Sequence, residues 1–81
     1  MPKVKYIGQK EEYTDLLTKE DIVLSPGEYY DIDISLDGPQ MIVNGQQMIH
    51  PDSTIWVHVR DKISIPYAPS LVSNFWEGIS F

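Results

Sequence analysis

The sequence predicts a mostly-β protein: a small antiparallel sandwich or barrel of six to seven short strands, with room for one short helix near either end. Three observations lead there. Ten Ile and six Val stand against a single Ala, Ala68, a bias toward residues that suit a pleated, half-buried surface and away from the best helix former. Six Pro and five Gly punctuate the chain at short intervals. Tyr30, Ile32, Ile34 and Leu36 alternate with Asp31, Asp33 and Ser35, which buries one face of a strand and wets the other.

The elements follow in order. Val4–Ile7 reads as a short strand with Val4 and Tyr6 on one side and Lys3, Lys5 and Ile7 on the other, ended by Gly8. Over Glu11–Lys19, the residues Tyr13, Leu16 and Leu17 fall at helical spacing, with Glu early and Lys late as a helix dipole prefers. Nine residues form no stable helix without packing, so a single turn or an ordered loop fits equally. Ile22-Val23-Leu24 is a buried strand, and Ser25-Pro26-Gly27-Glu28 suits a type II turn in which Gly27 takes the positive φ. After Tyr30–Leu36, Asp37-Gly38-Pro39 turns the chain.

Met41–Ile49 carries the strongest local signal. Asn44-Gly45 tolerates two successive positive φ angles, so a two-residue type I′ hairpin sets Val43 against Gln46, Ile42 against Gln47 and Met41 against Met48. Each face then mixes apolar and amide groups, and such a hairpin is either covered on both sides or projects toward a neighbour. Pro51-Asp52-Ser53 turns again, and Thr54–Arg60 is a strand with Ile55, Val57 and Val59 inward and Trp56, His58 and Arg60 on the second face. Continued alternation would bury Asp61, which predicts a turn or bulge at Asp61-Lys62 before Ile63-Ser64-Ile65 resumes. Pro66-Tyr67-Ala68-Pro69 bars an interior strand. For the last segment two readings are open: a helix bearing Leu71, Val72, Phe75 and Trp76 between Ser70 and Gly78, or an extended tail in which Ile79 and Phe81 add an edge strand.

Length and charge bound the function. Eighty-one residues make one domain, 1–81, with a small core and, without Cys, neither a disulfide nor a Cys-ligated zinc to staple it. Oligomerisation or docking is the expected source of further stability. The net charge is −6 and only one of the six basic residues is Arg; nucleic-acid binding and an anionic membrane surface both call for clustered Lys and Arg, so neither is expected. Acidity concentrates in residues 1–37, where four Lys face nine acids for a net of −5. No apolar stretch follows the basic residues near Met1, and the longest largely apolar uncharged run, Ile63–Trp76, holds two Pro and falls short of a membrane span. Synthesis in the cytoplasm is the expectation.

Motif chemistry is sparse. His50, His58 and Asp52 supply ligand types that zinc accepts, but a turn and a mid-strand position give them no reason to converge, so no metal is expected. Asp31, Asp33 and Asp37 lack the loop spacing of a calcium site and read as a wet strand face, whose repulsion an opposing Lys3/Lys5 strand would relieve. There is no Cys nucleophile, no nucleophile elbow and no phosphate cradle. No catalytic residue, cofactor or enzymatic activity is expected. The aromatic residues are more suggestive: Trp56 lies opposite the Ile/Val face, and Phe75, Trp76 and Phe81 crowd the end. They either cap the core or anchor a protein interface, where aromatic side chains are enriched.

Val4-Lys5-Tyr6-Ile7-Gly8, Tyr13-Thr14-Asp15-Leu16-Leu17 and Leu24-Ser25-Pro26-Gly27-Glu28 together resemble a short N-terminal pattern in small accessory proteins encoded among the head genes of tailed bacteriophages. The resemblance covers the first 30 residues; it departs after Tyr30, where those proteins often end in a Leu-rich helix. It implies a virion structural protein on the capsid surface or at the head–tail junction, contacting itself and capsid, portal or neck proteins. It transfers no catalytic residue. The alternative from a different class is an inhibitory binder from a mobile element that uses Asp31, Asp33 and Asp37 to mimic nucleic acid.

Overall fold

The computed structural model describes residues 3–15 and 17–79. Among them are eight strands: β1 (Lys3–Lys5), β2 (Glu11–Thr14), β3 (Asp21–Leu24), β4 (Tyr29–Asp37), β5 (Gln40–Val43), β6 (Gln46–Ile49), β7 (Thr54–Val59) and β8 (Ile63–Tyr67). One 3₁₀ turn, Val72–Asn74, is the helical content. Every strand pairing is antiparallel, so the expected class holds.

The centre is a four-stranded sheet in the order β1-β4-β7-β8, accompanied by the two-stranded units β2-β3 and β5-β6. β7 forms the spine because its alternation is complete: Ile55, Val57 and Val59 are fully buried, while Trp56 and His58 lie on the other face. Burial of such a side chain stabilises by roughly 1.5–3 kcal/mol. Across from the sheet, Ile22 and Leu24 of β3 join Tyr6, Val72 and Trp76 against Ile32, Ile55, Val57, Val59 and Ile65. The fold therefore has two layers, a sheet and a cover made by β2-β3 and the C-terminal segment.

Local turn chemistry acts as the residues dictate. Gly27 takes φ 88° and the Glu28 amide donates to the Ser25 carbonyl at 3.2 Å, closing the Pro-Gly turn. Asn44 and Gly45 take φ 52° and 80°, and the hairpin register is the one read from the Asn-Gly pair. β7 turns into β8 with Arg60 and Asp61 both at positive φ and the Lys62 amide donating to the Val59 carbonyl at 3.0 Å. β8 contains Pro66 as an edge strand, where proline is tolerated.

Two expectations are revised. Glu11–Thr14 is neither helix nor loop but an eighth strand, because Tyr13 pairs with Ile22 and sends its ring toward the core. Leu17 is 94% exposed, so the helical stripe it implied does not exist; Leu16 lies outside the described residues. The chain turns instead at Asp15, whose carboxylate accepts the Leu17 amide at 2.8 Å and the Thr18 amide at 3.3 Å. At the other end, of the two open readings the helix is reduced to the single 3₁₀ turn without a side-chain cap, and the tail's edge strand involves Phe81, which lies outside the described residues. Backbone bonding to Lys5 and Ile7 displaces the helix: the Ile7 amide donates to the Phe75 carbonyl and the Glu77 amide to the Lys5 carbonyl, at 2.8 and 3.0 Å.

β4 and β7 are sequential neighbours in the sheet, yet β5-β6 is inserted between them. Asp37 and Thr54 sit opposite one another at the sheet boundary, and the inserted hairpin leaves from that point. The result is elongated, with extents of 44 × 27 × 21 Å and a Cα radius of gyration of 13.8 Å, against about 12 Å for a compact chain of this length.

Candidate functional site

Trp76 is withdrawn from the interface expected of it. It is fully buried, with its ring 5.1 Å from that of Tyr6 at 64° and 6.1 Å from that of Tyr30 at 85°. These are the edge-to-face arrangements that aromatic quadrupoles favour. Its indole N–H donates to the Tyr67 hydroxyl at 3.2 Å, which satisfies the polar atom a buried tryptophan carries. Trp76 is the centre of the core. Phe75 is half-buried, tilted on Tyr67 at 5.1 Å, and lines an open cleft of about 630 Å³ with Ile7, Gly8 and Glu11. Phe81 lies outside the described residues.

Burial sets the acid–base character of this end. Removal from water is the chief cause that pushes the Tyr6 hydroxyl up to about 12 and raises Tyr67 and Tyr13 as well; the carboxylate of Glu11, hydrogen-bonded to Tyr13, adds to the effect on Tyr13. All three hydroxyls stay protonated at neutral pH; those of Tyr6 and Tyr13 donate to the Gln9 carbonyl and the Glu11 carboxylate, and that of Tyr67 accepts from Trp76.

Trp56 lies on the wet face of the sheet, between Ser35 of β4 and Pro66 of β8 in register, and is half-buried. Beside it, His58 is set between Asp33 and Ser64. Its Nε2 is 2.8 Å from the Ser35 hydroxyl and its Nδ1 is 2.6 Å from the Ser64 hydroxyl. A neutral imidazole can donate to one and accept from the other. An activated serine needs a base oriented by a third group, and among the described residues no carboxylate bonds either ring nitrogen of His58. The two hydroxyls fix the ring instead, next to a cleft of about 390 Å³ lined by Asp33, His58, Asp61, Lys62, Ile63 and Ser64.

The other histidine is remote in role. His50 accepts the Asp52 amide at Nδ1, 3.0 Å away, as a turn residue. Among the described residues no three His, Asp or Glu side chains converge as a metal site. Asp31, Asp33 and Asp37 alternate along β4 as a wet strand face, and the Lys3/Lys5 strand does pair with it. Lys3 stands opposite Asp31 and Lys5 opposite Tyr29, so β1 relieves only the first of the three acids.

Of the two fates open to the mixed-face hairpin, cover or projection, the β5-β6 arm takes the second, and its residues join the candidate surface beside Trp56 and Phe75. From Gln40 to Ile49 it carries no charged residue. Ile42 is 75% exposed, and Val43 and Met48 are exposed as well. At its base Leu36, Gln40, Gln47, Met48 and Ile49 line a cleft of about 240 Å³, and the Gln47 side-chain Nε2 donates to the Gln40 side-chain Oε1 across the strands. The base is anchored: the buried Ser53 hydroxyl donates to the Pro39 carbonyl. A hairpin of this kind, two strands alone, is marginal in water. The signal in the sequence is its mixed faces, which ask either for cover on both sides or for a partner, and among the described residues Ile42, Val43 and Met48 have no cover.

Compared with known protein families, curated proteins and solved structures, the chain shows no match.

Proposed function

We propose that this chain is a non-enzymatic structural and assembly module that acts by protein–protein contacts, seated on a capsid surface or at a head–tail junction of a bacteriophage virion. The observation that carries the reading is the uncharged β5-β6 arm, projecting from a small core with Ile42 three-quarters exposed. An exposed apolar hairpin is a liability in a free monomer and an asset in a repeated array, where each neighbour covers it. The likeness of residues 4–28 to phage head-cluster accessory proteins supplies the virion setting, and its partners would be further copies of itself and capsid, portal or neck proteins. The product would be made in the host cytoplasm and end in the particle.

Sedimentation tests this directly. The purified chain is run alone and mixed with virion particles or with their separated capsid and portal proteins. Oligomerisation or co-sedimentation is the expected outcome, abolished by Ile42→Lys together with Val43→Lys. A monomer at high concentration that binds neither particles nor their components would reject the proposal.

A further inference from the structure

The four-stranded sheet ends in β1 and β8, but β1 is short, so β8 and most of β4 present outer edges, and only one of these edges is blunted. The Val59 carbonyl accepts the Lys62 amide, so Ile55, Val57 and Val59 direct their backbone groups at β8. Their partners Tyr67, Ile65 and Ile63 face back, which leaves Ser64 and Pro66 facing outward. Pro66 has no N–H to offer there, a standard protection of an edge.

β4 is different. It runs nine residues, but β1 flanks only Tyr29–Asp31. Among the described residues, no strand flanks Ile32–Asp37 on the side away from β7. The Asp31 carbonyl accepts the Arg60 amide and the Glu28 carbonyl accepts the Tyr6 amide, each at 2.9 Å. Odd-numbered residues therefore direct their backbone groups to β7, and Ile32, Ile34 and Leu36 direct theirs to the open edge. No proline or bulge interrupts the stretch. Side chains tell the same story. Ile34 and Leu36 are 39% and 37% exposed, although their in-register neighbours Val57 and Ile55 are fully buried. What they lack is a strand beside them.

We propose that Ile32–Asp37 is a strand-addition site for an extended protein segment that alternates Lys or Arg with aliphatic residues. Charge selects this occupant. On the wet face the incoming strand would meet Asp33 and Asp37, which have no cationic partner among the described strands; on the core face it would cover Ile34 and Leu36. The molecule already shows the chemistry one step along the same strand, where Lys3 of the Lys3-Val4-Lys5 strand stands opposite Asp31. A second copy is the poorer occupant: antiparallel pairing centred on Ser35 would set Asp33 against Asp37 at both ends of the contact, between two chains each of net charge −6. The site adjoins the arm at Leu36, which lines the cleft at the arm's base, but it does not rest on the exposed Ile42, Val43 and Met48, and its failure would leave the assembly proposal standing.

The test is a titration of the full isotope-labelled chain, followed by amide NMR, with a capped eight-residue peptide alternating Lys and Val. Controls are the same peptide with Glu for Lys and a block peptide of four Lys then four Val. The expected result is slowed exchange and shifted resonances at the Ile32, Ile34 and Leu36 amides, with the alternating Lys peptide bound about tenfold more tightly than either control. Asp33→Lys with Asp37→Lys, on the exposed face where folding is preserved by circular dichroism, should reverse the preference in favour of the Glu peptide. Equal binding of the alternating and block peptides, shifts confined to the arm, or an unchanged preference in the charge-reversed variant would each overturn the site.

Discussion

Two tryptophans of one small chain play opposite parts, and their neighbours decide which. Trp76 is enclosed by Tyr6, Tyr30 and Tyr67, whereas Trp56 lies across the wet face between Ser35 and Pro66. Trp76→Ala should cost about 3–5 kcal/mol, comparable to the roughly 3–5 kcal/mol that a core of this size supplies, so the variant is expected to be unfolded at 25 °C by near-ultraviolet circular dichroism. Trp56→Ala should shift a urea midpoint by less than about 1 kcal/mol of stability. Tyr6 adds a pH dependence. Its hydroxyl titrates at about 12 in the fold, raised by burial from an ordinary value of 10.0, so between those values the native state holds a proton the unfolded state has released. Stability is complete below pH 10 and falls as pH rises through 12. Urea midpoints taken across that range should decline, and Tyr6→Phe should make the decline shallower. Gly8 belongs at this scale too: a Cβ there would stand 2.5 Å from the Phe75 ring and 2.7 Å from the Tyr6 hydroxyl, so any larger residue must push the aromatic cluster apart.

Among the elements, those specified by neighbours in sequence were legible before any coordinates. Asn44-Gly45 sets its own register because two positive φ angles are a local demand, and β7 is plain because Ile55, Val57 and Val59 keep a strict period of two. β2 was hidden for the converse reason. Tyr13, Leu16 and Leu17 satisfy a helical period, and only pairing with β3, a contact between Tyr13 and Ile22, makes Glu11–Thr14 a strand. For the C-terminal segment the helical reading gave way to the extended one in the same way, the chain being held by hydrogen bonds to Lys5 and Ile7. Of the interface residues read from sequence, Trp56 keeps an accessible face and Phe75 a partial one, while for the arm the sequence leaves cover and projection both open, because whether a mixed-face hairpin is covered depends on the rest of the chain. The same nonlocal rule grades the sheet. Ile55 and Leu36 are opposite one another, yet one is fully buried and the other 37% exposed. Ile55→Ala is expected to cost about 3–4 kcal/mol and Leu36→Ala about 1, a difference that chemical denaturation of the two variants would resolve.

At the scale of the molecule, the core and the arm are separable. The core cluster draws on β3, β4, β7, β8 and the residues around Tyr6 and Trp76; from the arm only Ile49 packs against it. The insertion departs and returns at Asp37 and Thr54, which already face each other across β4 and β7. Replacing residues 38–53 by Asn-Gly would therefore close the same pair with a turn suited to adjacent antiparallel strands. The excised chain loses the buried Ser53 bond to Pro39 and the partial cover that Ile49 gives, and it also sheds sixteen residues whose ordering opposed folding. It should retain a single cooperative thermal transition and show a radius of gyration below that of the parent in small-angle scattering, since the projecting mass is gone. If the arm is the seat of assembly, the excised chain should also stay monomeric and no longer sediment with particles, while the Lys-Val peptide continues to bind at β4. Retained co-sedimentation would move the assembly contact to the remaining body of the protein, and loss of the thermal transition would mean that the hairpin stabilises the sheet from which it projects.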